Sequence, residues 1–512
     1  MLRIVKTENG LVRGIPAADP RITAFKGIPF AAPPVGDLRW KAPQPAADWE
    51  GIRDCYTFGP IAMQETPGED PNSFYAKEWH VDPEIPMSED CLQLNVWTPA
   101  KTGDEKLPVM VWIYGGGLMC GYPAEMEFDG ERIARRGVIL VSVNYRVNVF
   151  GFLAHPEITA EDPTKPANFG FMDQQAGIRW VKRNIAAFGG DPDNITVFGQ
   201  SAGGGSTMVQ TITPTNKGLF QKAIVHSGGG MLPPTIINGK TLAEAEETGK
   251  EFFKDLGVST LEEARALDAK VVLKQALSSR KYGWGTVIGD AFVPEKPSYA
   301  VLNNRRNDVD IITGNTVSEF QVVPRVTTEA ELDEYAKNLY GEDADRFLEI
   351  VKKDANGIED MIKNATYNRF RLGNLLWVDA NVRLDAGKMY FYTFHPEIPG
   401  DDAGSFHSSD LWFAFETLAK CWRPFKGKHY DLARQMCNYW TNFAKTGDPN
   451  GLDADGTAMP EWKEITKDQK QPIFFGDTAY MDEAPRTELE NFLVDYYAKR
   501  LDDEKPIGFM AP

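Results

Sequence analysis

The sequence predicts an α/β fold, a large and mostly parallel central sheet with helices on both faces. Three observations lead there. Short runs rich in β-branched and other apolar residues recur along the chain and are apolar on both faces, as strands covered from both sides are. Helical patterns alternate with those runs, which is how parallel strands are connected. Composition is 42% hydrophobic and 25% charged, ordinary for a packed chain and unlike a disordered one.

The first strand expected is Val109 to Tyr114, running into Gly115-Gly116-Gly117. A second is Val138 to Asn144. Gln174 to Ala187 reads as a helix and Ile195 to Phe198 as the next strand. Ala223 to His226 follows, then a helix over Leu242 to Leu256. Asp310 to Thr313 is a strand, Tyr367 to Leu384 a helix, Met389 to Phe394 a strand and Asp431 to Ala444 a helix. No internal repeat or long linker interrupts the 512 residues, so one domain over 1–512 is expected.

Charge narrows the function. Lys and Arg total 55 against 73 Asp and Glu, a net −18. Nucleic-acid backbones and anionic membrane surfaces both require an excess of cations. The longest apolar stretches, such as Val138 to Val143, are too short to span a bilayer. No apolar export core follows Met1 and no retention or lipidation motif ends the chain. The cysteines Cys55, Cys91, Cys120, Cys421 and Cys437 form no C-x-x-C pair. These features lead us to expect a cytoplasmic protein in a reducing compartment, where the sequons at Asn194 and Asn364 carry no glycan.

Sites of open α/β sheets form at the carboxyl ends of strands. There the strand Ile195 to Phe198 enters Gly199-Gln200-Ser201-Ala202-Gly203, a single G-x-S-x-G. Flanking glycines allow the sharp strand-to-helix turn that exposes a nucleophilic serine, Ser201. Gly204 to Ile212 then opens a helix whose N-terminus favours a developing negative charge. The glycines after Val109 to Tyr114 expose backbone N–H groups; Gly116, Gly117 and Ala202 are the expected oxyanion donors.

A base belongs on a loop after a late strand. Of His80, His155, His226, His395, His407 and His429, His407 lies on the polar loop after Met389 to Phe394, with His395 the runner-up. Glu319, on the loop after Asp310 to Thr313, is the acid candidate, with Asp290 and Asp410 competing. No H-E-x-x-H, phosphate loop or G-x-G-x-x-G is present, so neither metal nor organic cofactor is expected.

Further motifs stand in order around these residues. They are Phe25 to Ala31 with Pro33-Pro34 and Leu38-Arg39-Trp40, Ser88 to Leu92 with Leu94 to Trp97, and Asn144-Tyr145-Arg146 with Phe150 to Leu153. Asn168 to Asn184 and Phe188 to Pro192 then lead into the serine turn. Together they resemble the type-B carboxylesterase family of α/β-hydrolases, which includes cholinesterases and bacterial para-nitrobenzyl esterases. The resemblance covers nearly the whole chain. It implies an α/β-hydrolase fold, with Ser201 as nucleophile, Glu319 as acid and His407 as base. It implies oxyanion donors at Gly116, Gly117 and Ala202, and structural ion pairs Arg39–Glu89 and Arg146–Asp173. It also implies a supporting serine, Ser227, near the acid.

The chain departs from the family pattern at four places. Tyr114 stands where members usually have His, and is expected to supply an aromatic wall. Gln200 stands where they usually have Glu, which removes a negative charge beside His407. Cys91 takes the place of a disulfide cysteine whose partner position is occupied by Ala62 or Met63, so free thiols are expected. Cys120 follows the oxyanion loop and is either a pocket residue or a small buried one.

The expected activity is hydrolysis of a small-molecule carboxylic ester by water, through an acyl-enzyme, in a monomer or small homo-oligomer. Aromatic residues are 11% of the chain. If Phe30 and Trp412 line the pocket with Tyr114, Gln200 and Cys120, aryl or aromatic-acid esters fit, para-nitrobenzyl, feruloyl and cinnamoyl types among them. The competing readings are a catalytically silent adhesion or binding homologue, and a lipase or amidase of the same fold. Acyl and alcohol preference depends on loops such as 230–240 and 276–292.

Overall fold

The structure is a computed structural model and describes residues 1–68, 74–79, 84–229, 237–482 and 485–500. His80 and residues 230–236 of the 230–240 loop lie outside them. The central sheet contains β1 (Ile15–Pro16), β2 (Thr23–Pro29), β3 (Gln93–Thr98), β4 (Leu107–Ile113) and β5 (Ile139–Val143). It continues with β6 (Gly190–Gln200), β7 (Lys222–His226), β8 (Asp310–Thr316), β9 (Met389–Phe394), β10 (Ile473–Phe475) and β11 (Ala479–Met481). Their order across the sheet is β1-β2-β3-β5-β4-β6-β7-β8-β9-β10-β11. Every neighbouring pair from β5 to β10 is parallel, and the pairs at both edges are antiparallel.

This is the expected α/β-hydrolase architecture. β5, β7 and β9 are buried at every residue, which explains their continuous apolar runs: both faces are covered. The antiparallel strands β2 and β3 gave no such run. Lys26 and Gly27 in β2 and Gln93, Asn95 and Thr98 in β3 interrupt their apolar residues, and the β2–β3 register shifts between Phe25 and Ile28, so a search for apolar runs passes over them.

Five helices matter for the site: α1 (Phe169–Asn184), α2 (Ala202–Ile212), α3 (Leu242–Leu256), α4 (Arg369–Arg383) and α5 (Gly427–Thr446). α3 has its expected bounds because Thr241 and Glu244 form a reciprocal cap and Gly257 closes the end with φ 75°. α1 starts five residues before Gln174 and ends at Asn184, where the chain tightens into a 3-10 turn over Ile185–Phe188. Gly170 and Gly177 blurred its start in the sequence pattern. α4 starts at Arg369 because Tyr367–Asn368 pairs as a short strand with Gln321–Val322.

The chain leaves β4 for β5 on one side and reaches β6 on the other. Between β4 and β6 the strand order therefore reverses, and a crevice opens at their carboxyl ends. The G-G-G segment ends one of these strands and Ser201 ends the other.

Both implied ion pairs are present. Arg39 Nε and Nη2 each lie 2.7 Å from a Glu89 oxygen, and Arg146 pairs with Asp173 at 2.7 Å. All five cysteines are unpaired, and Ala62, Met63 and Cys91 line one small cavity. Among the described residues no helix is long and apolar enough to cross a membrane.

Candidate active site

Ser201 sits between β6 and α2 with φ 56° and ψ −126°, a strained combination for a residue with a side chain. The glycines around it are there for space. A Cβ on Gly203 would lie 2.1 Å from the Ile113 carbonyl oxygen, and one on Gly199 would lie 2.3 Å from that of Gly203. Only bare backbone lets the turn close against β4. The Ser201 N–H donates to the His226 carbonyl at 2.9 Å, tying the turn to β7.

His407 reaches the serine from the loop after β9, its Nε2 2.7 Å from Ser201 Oγ. The other ring nitrogen, Nδ1, bonds Glu319 Oε2. An ionised carboxylate only accepts, so Nδ1 carries the proton and Nε2 presents its lone pair to the serine hydroxyl. Glu319 is buried, and its Oε1 accepts from Ser227 Oγ at 2.8 Å and from the Thr316 N–H at 2.9 Å. Each carboxylate oxygen is therefore engaged and the acid cannot swing away. The Ser318 N–H donates to the Ser405 carbonyl at 3.1 Å, which joins the acid loop to the histidine loop. Ser227→Ala is expected to lower kcat about tenfold with KM little changed, because a buried hydrogen bond of about 1–2 kcal/mol to the acid is lost. Steady-state kinetics on one aryl ester checks this.

Gly116 and Gly117 adopt φ 107° and 66°, and a Cβ on Gly116 would meet the Cys120 carbonyl oxygen at 2.2 Å. That carbonyl approach fits only glycine. The N–H groups of Gly116, Gly117 and Ala202 donate to no backbone or side-chain acceptor among the described residues, leaving them available to an oxyanion.

The remaining candidates are distributed as follows. Gln200 Nε2 lies 3.3 Å from His407 Nε2. Cys120 Sγ lies 3.5 Å from the Gly116 carbonyl oxygen and the residue is exposed, so it is not a small buried core residue. Three expectations for the pocket wall need correction. Tyr114 is fully buried, stacked on Tyr145 at 4.3 Å, and its hydroxyl donates to Asn144 Oδ1 at 2.9 Å; as the last residue of the β4 run it turns inward beneath the loop. Trp412 is buried and directs its indole N–H to Glu78 at 3.2 Å. Phe30 lines a cavity whose walls include none of Ser201, Glu319 and His407.

The competing acids and bases are engaged elsewhere. His226 Nε2 accepts from Trp440 and its Nδ1 bonds Asp410 at 2.9 Å, so another of the histidines and one of the competing acids hold each other in the core. Asp290 caps the backbone of Phe292 and Val293. His395 bonds Tyr480 and His429 caps the start of α5.

Sequence reasoning missed two aromatic residues at the site. Phe320 packs edge-on against His407 at 4.7 Å and Phe370 stacks on it at 5.6 Å. Phe320 is 54% exposed, so part of its ring stays open to solvent beside His407. Its place directly after Glu319 was the only available signal; Phe370 comes from α4 and carried none.

Residues 2–493 match the model of the carboxylesterase family. The chain is 31% identical to the para-nitrobenzyl esterase of Bacillus subtilis (strain 168), over 95% of this chain and 97% of that protein. It is also 31% identical to the cholinesterase of Mus musculus, over 89% of this chain and 81% of that one. A crystal structure of a carboxylesterase from Geobacillus stearothermophilus superposes with a TM-score of 0.77, at 30% identity, covering 96% of this chain and all of the other.

Proposed function

The chain belongs to the carboxylesterase family and is a carboxylic ester hydrolase, and from this premise we propose that it works as a serine esterase through Ser201, His407 and Glu319. The observation that carries the reading is the continuous set of hydrogen bonds from Ser201 Oγ through His407 to Glu319. His407 Nε2 takes the hydroxyl proton as Ser201 Oγ attacks the ester carbonyl. The negative charge that develops on the carbonyl oxygen is met by the N–H groups of Gly116, Gly117 and Ala202. Glu319 stabilises the imidazolium. His407 then hands its proton to the leaving alcohol oxygen as the C–O bond breaks, leaving Ser201 acylated. Water repeats the sequence, giving the acid and restoring the serine.

We assign a preference for aryl or aromatic-acid esters, because Phe320 and Phe370 flank the catalytic imidazole and an aromatic substrate group packs favourably against such rings. Hydrolysis of a panel of para-nitrophenyl and aryl esters tests both parts. Turnover by the wild type is expected. A folded wild type that turns over no ester would favour the silent-homologue reading. Equal rates on acetyl and cinnamoyl esters of one alcohol would remove the aromatic preference.

Gln200 supplies a pH prediction. As a neutral amide beside His407 Nε2 it adds no charge to stabilise the imidazolium. Gln200→Glu places a carboxylate there, favours the protonated ring and raises its pKa. The base must be neutral to act, so the acid limb of the kcat/KM profile is expected to move to higher pH. An unmoved limb refutes this electrostatic role.

A further inference from the structure

The 790 Å³ cavity lined by Phe30 is separate from the ester-cleaving residues. Its size lies in the range of small-molecule sites. Its floor is one face of α1, where Met172, Gln175, Ala176, Arg179 and Arg183 follow one another at helical spacing. The largest apolar side chains of the wall are Phe30, Met172 and Phe292.

The charges around this cavity do not balance. Arg183 is satisfied by a two-pronged pair with Glu8 at 2.7 and 2.9 Å. Lys165 lies 3.8 Å from Asp162. Arg179, one turn before Arg183, makes only a long bond of 3.4 Å from Nη2 to the Thr215 carbonyl. No carboxylate pairs with it among the described residues. Like charges four residues apart on a helix repel, and burial together with Arg183 pulls the Arg179 guanidinium below its ordinary value. The chain has an excess of 18 negative charges, yet it leaves this half-buried cation uncompensated beside an apolar wall.

We propose that the cavity binds a monoanionic carboxylic acid with an apolar, preferably aryl, body, its carboxylate held by Arg179 and its ring set among Phe30, Met172 and Phe292. One free cation calls for one negative charge, and the planar guanidinium matches the two oxygens of a carboxylate. The proposal does not depend on which residues cleave the ester, since none of Ser201, His407 and Glu319 borders the cavity.

Calorimetric titration of the full chain with 3-phenylpropionate tests it, with the neutral 3-phenylpropionamide as comparison and Arg179→Gln and Ala176→Trp as variants. The wild type is expected to show saturable binding that Arg179→Gln weakens by about tenfold or more, the usual effect of losing a charge-assisted pair. The amide is expected to bind more weakly by a similar factor. Ala176→Trp, which keeps the charge and fills the space, should remove binding. Arg179→Gln should leave hydrolysis of a para-nitrophenyl ester unchanged, which also shows that it folds. The proposal is overturned if the wild type shows no saturable binding, if Arg179→Gln titrates like the wild type, or if acid and amide bind equally. Binding that survives in a folded Ala176→Trp overturns it as well.

Discussion

Ser201→Ala is expected to lower kcat/KM on para-nitrophenyl esters by roughly a millionfold, the scale of losing a serine nucleophile elsewhere. His407→Ala should cost about as much, and the double variant little more, because the two groups act as a unit through the bond from Ser201 Oγ to His407 Nε2. A companion variant separates chemistry from folding. Ser201 holds φ 56° and ψ −126°, a backbone conformation that costs about 1–3 kcal/mol for a residue with a Cβ. Ser201→Gly removes that strain, so it should be as inactive as the alanine variant but more stable. Assays beside thermal melts check both halves. Retention of activity within tenfold of wild type by either variant would exclude Ser201 as the nucleophile.

Asp173→Asn carries the largest expected loss of stability, about 3–5 kcal/mol, because it leaves a buried cation without its counter-ion. Arg146 and Asp173 are both buried. The guanidinium meets Oδ2 and Oδ1 at 2.7 Å each, and the Arg146 N–H meets Oδ2 at 3.0 Å. The pair fastens the segment after β5 to α1. Burial pushes the Asp173 carboxyl above its ordinary value, against the lowering effect of Arg146. Adding Arg146→Met to Asp173→Asn should restore a large part of the loss, since removing both charges abolishes the unpaired ion. Urea titration of the two single variants and the double variant checks the cycle; additive losses would refute the coupling.

Ser201 and His407 were found in the sequence by the same reasoning, a reactive residue type on a glycine-rich or polar loop just past an apolar run, whereas Glu319 was one of three acid candidates until the family resemblance singled it out. The structure brings these three together at hydrogen-bond distance. Side-chain direction was not legible. Tyr114, Trp412 and Phe30 all stand near motif residues, yet Tyr114 bonds Asn144, Trp412 bonds Glu78 and Phe30 borders a second cavity. Proximity in the chain says nothing about which way a ring points once its polar atom finds a buried partner.

What the sequence determined by itself was the parallel core of the sheet, the turn around Ser201 and the identity of the residues at the strand ends. These are local matters: apolar periodicity, β-branching and the lack of a Cβ at Gly199, Gly203 and Gly116 act within a few residues. Only the tertiary structure decided which histidine met which carboxylate, because His226–Asp410 and His407–Glu319 are chemically equivalent pairings until β7, β8 and β9 are laid side by side. It alone decided that Phe370 on α4 stacks on His407 and that Arg179 is left without a counter-ion. Both depend on contacts between residues far apart in the chain, which are formed by packing and which no local pattern records.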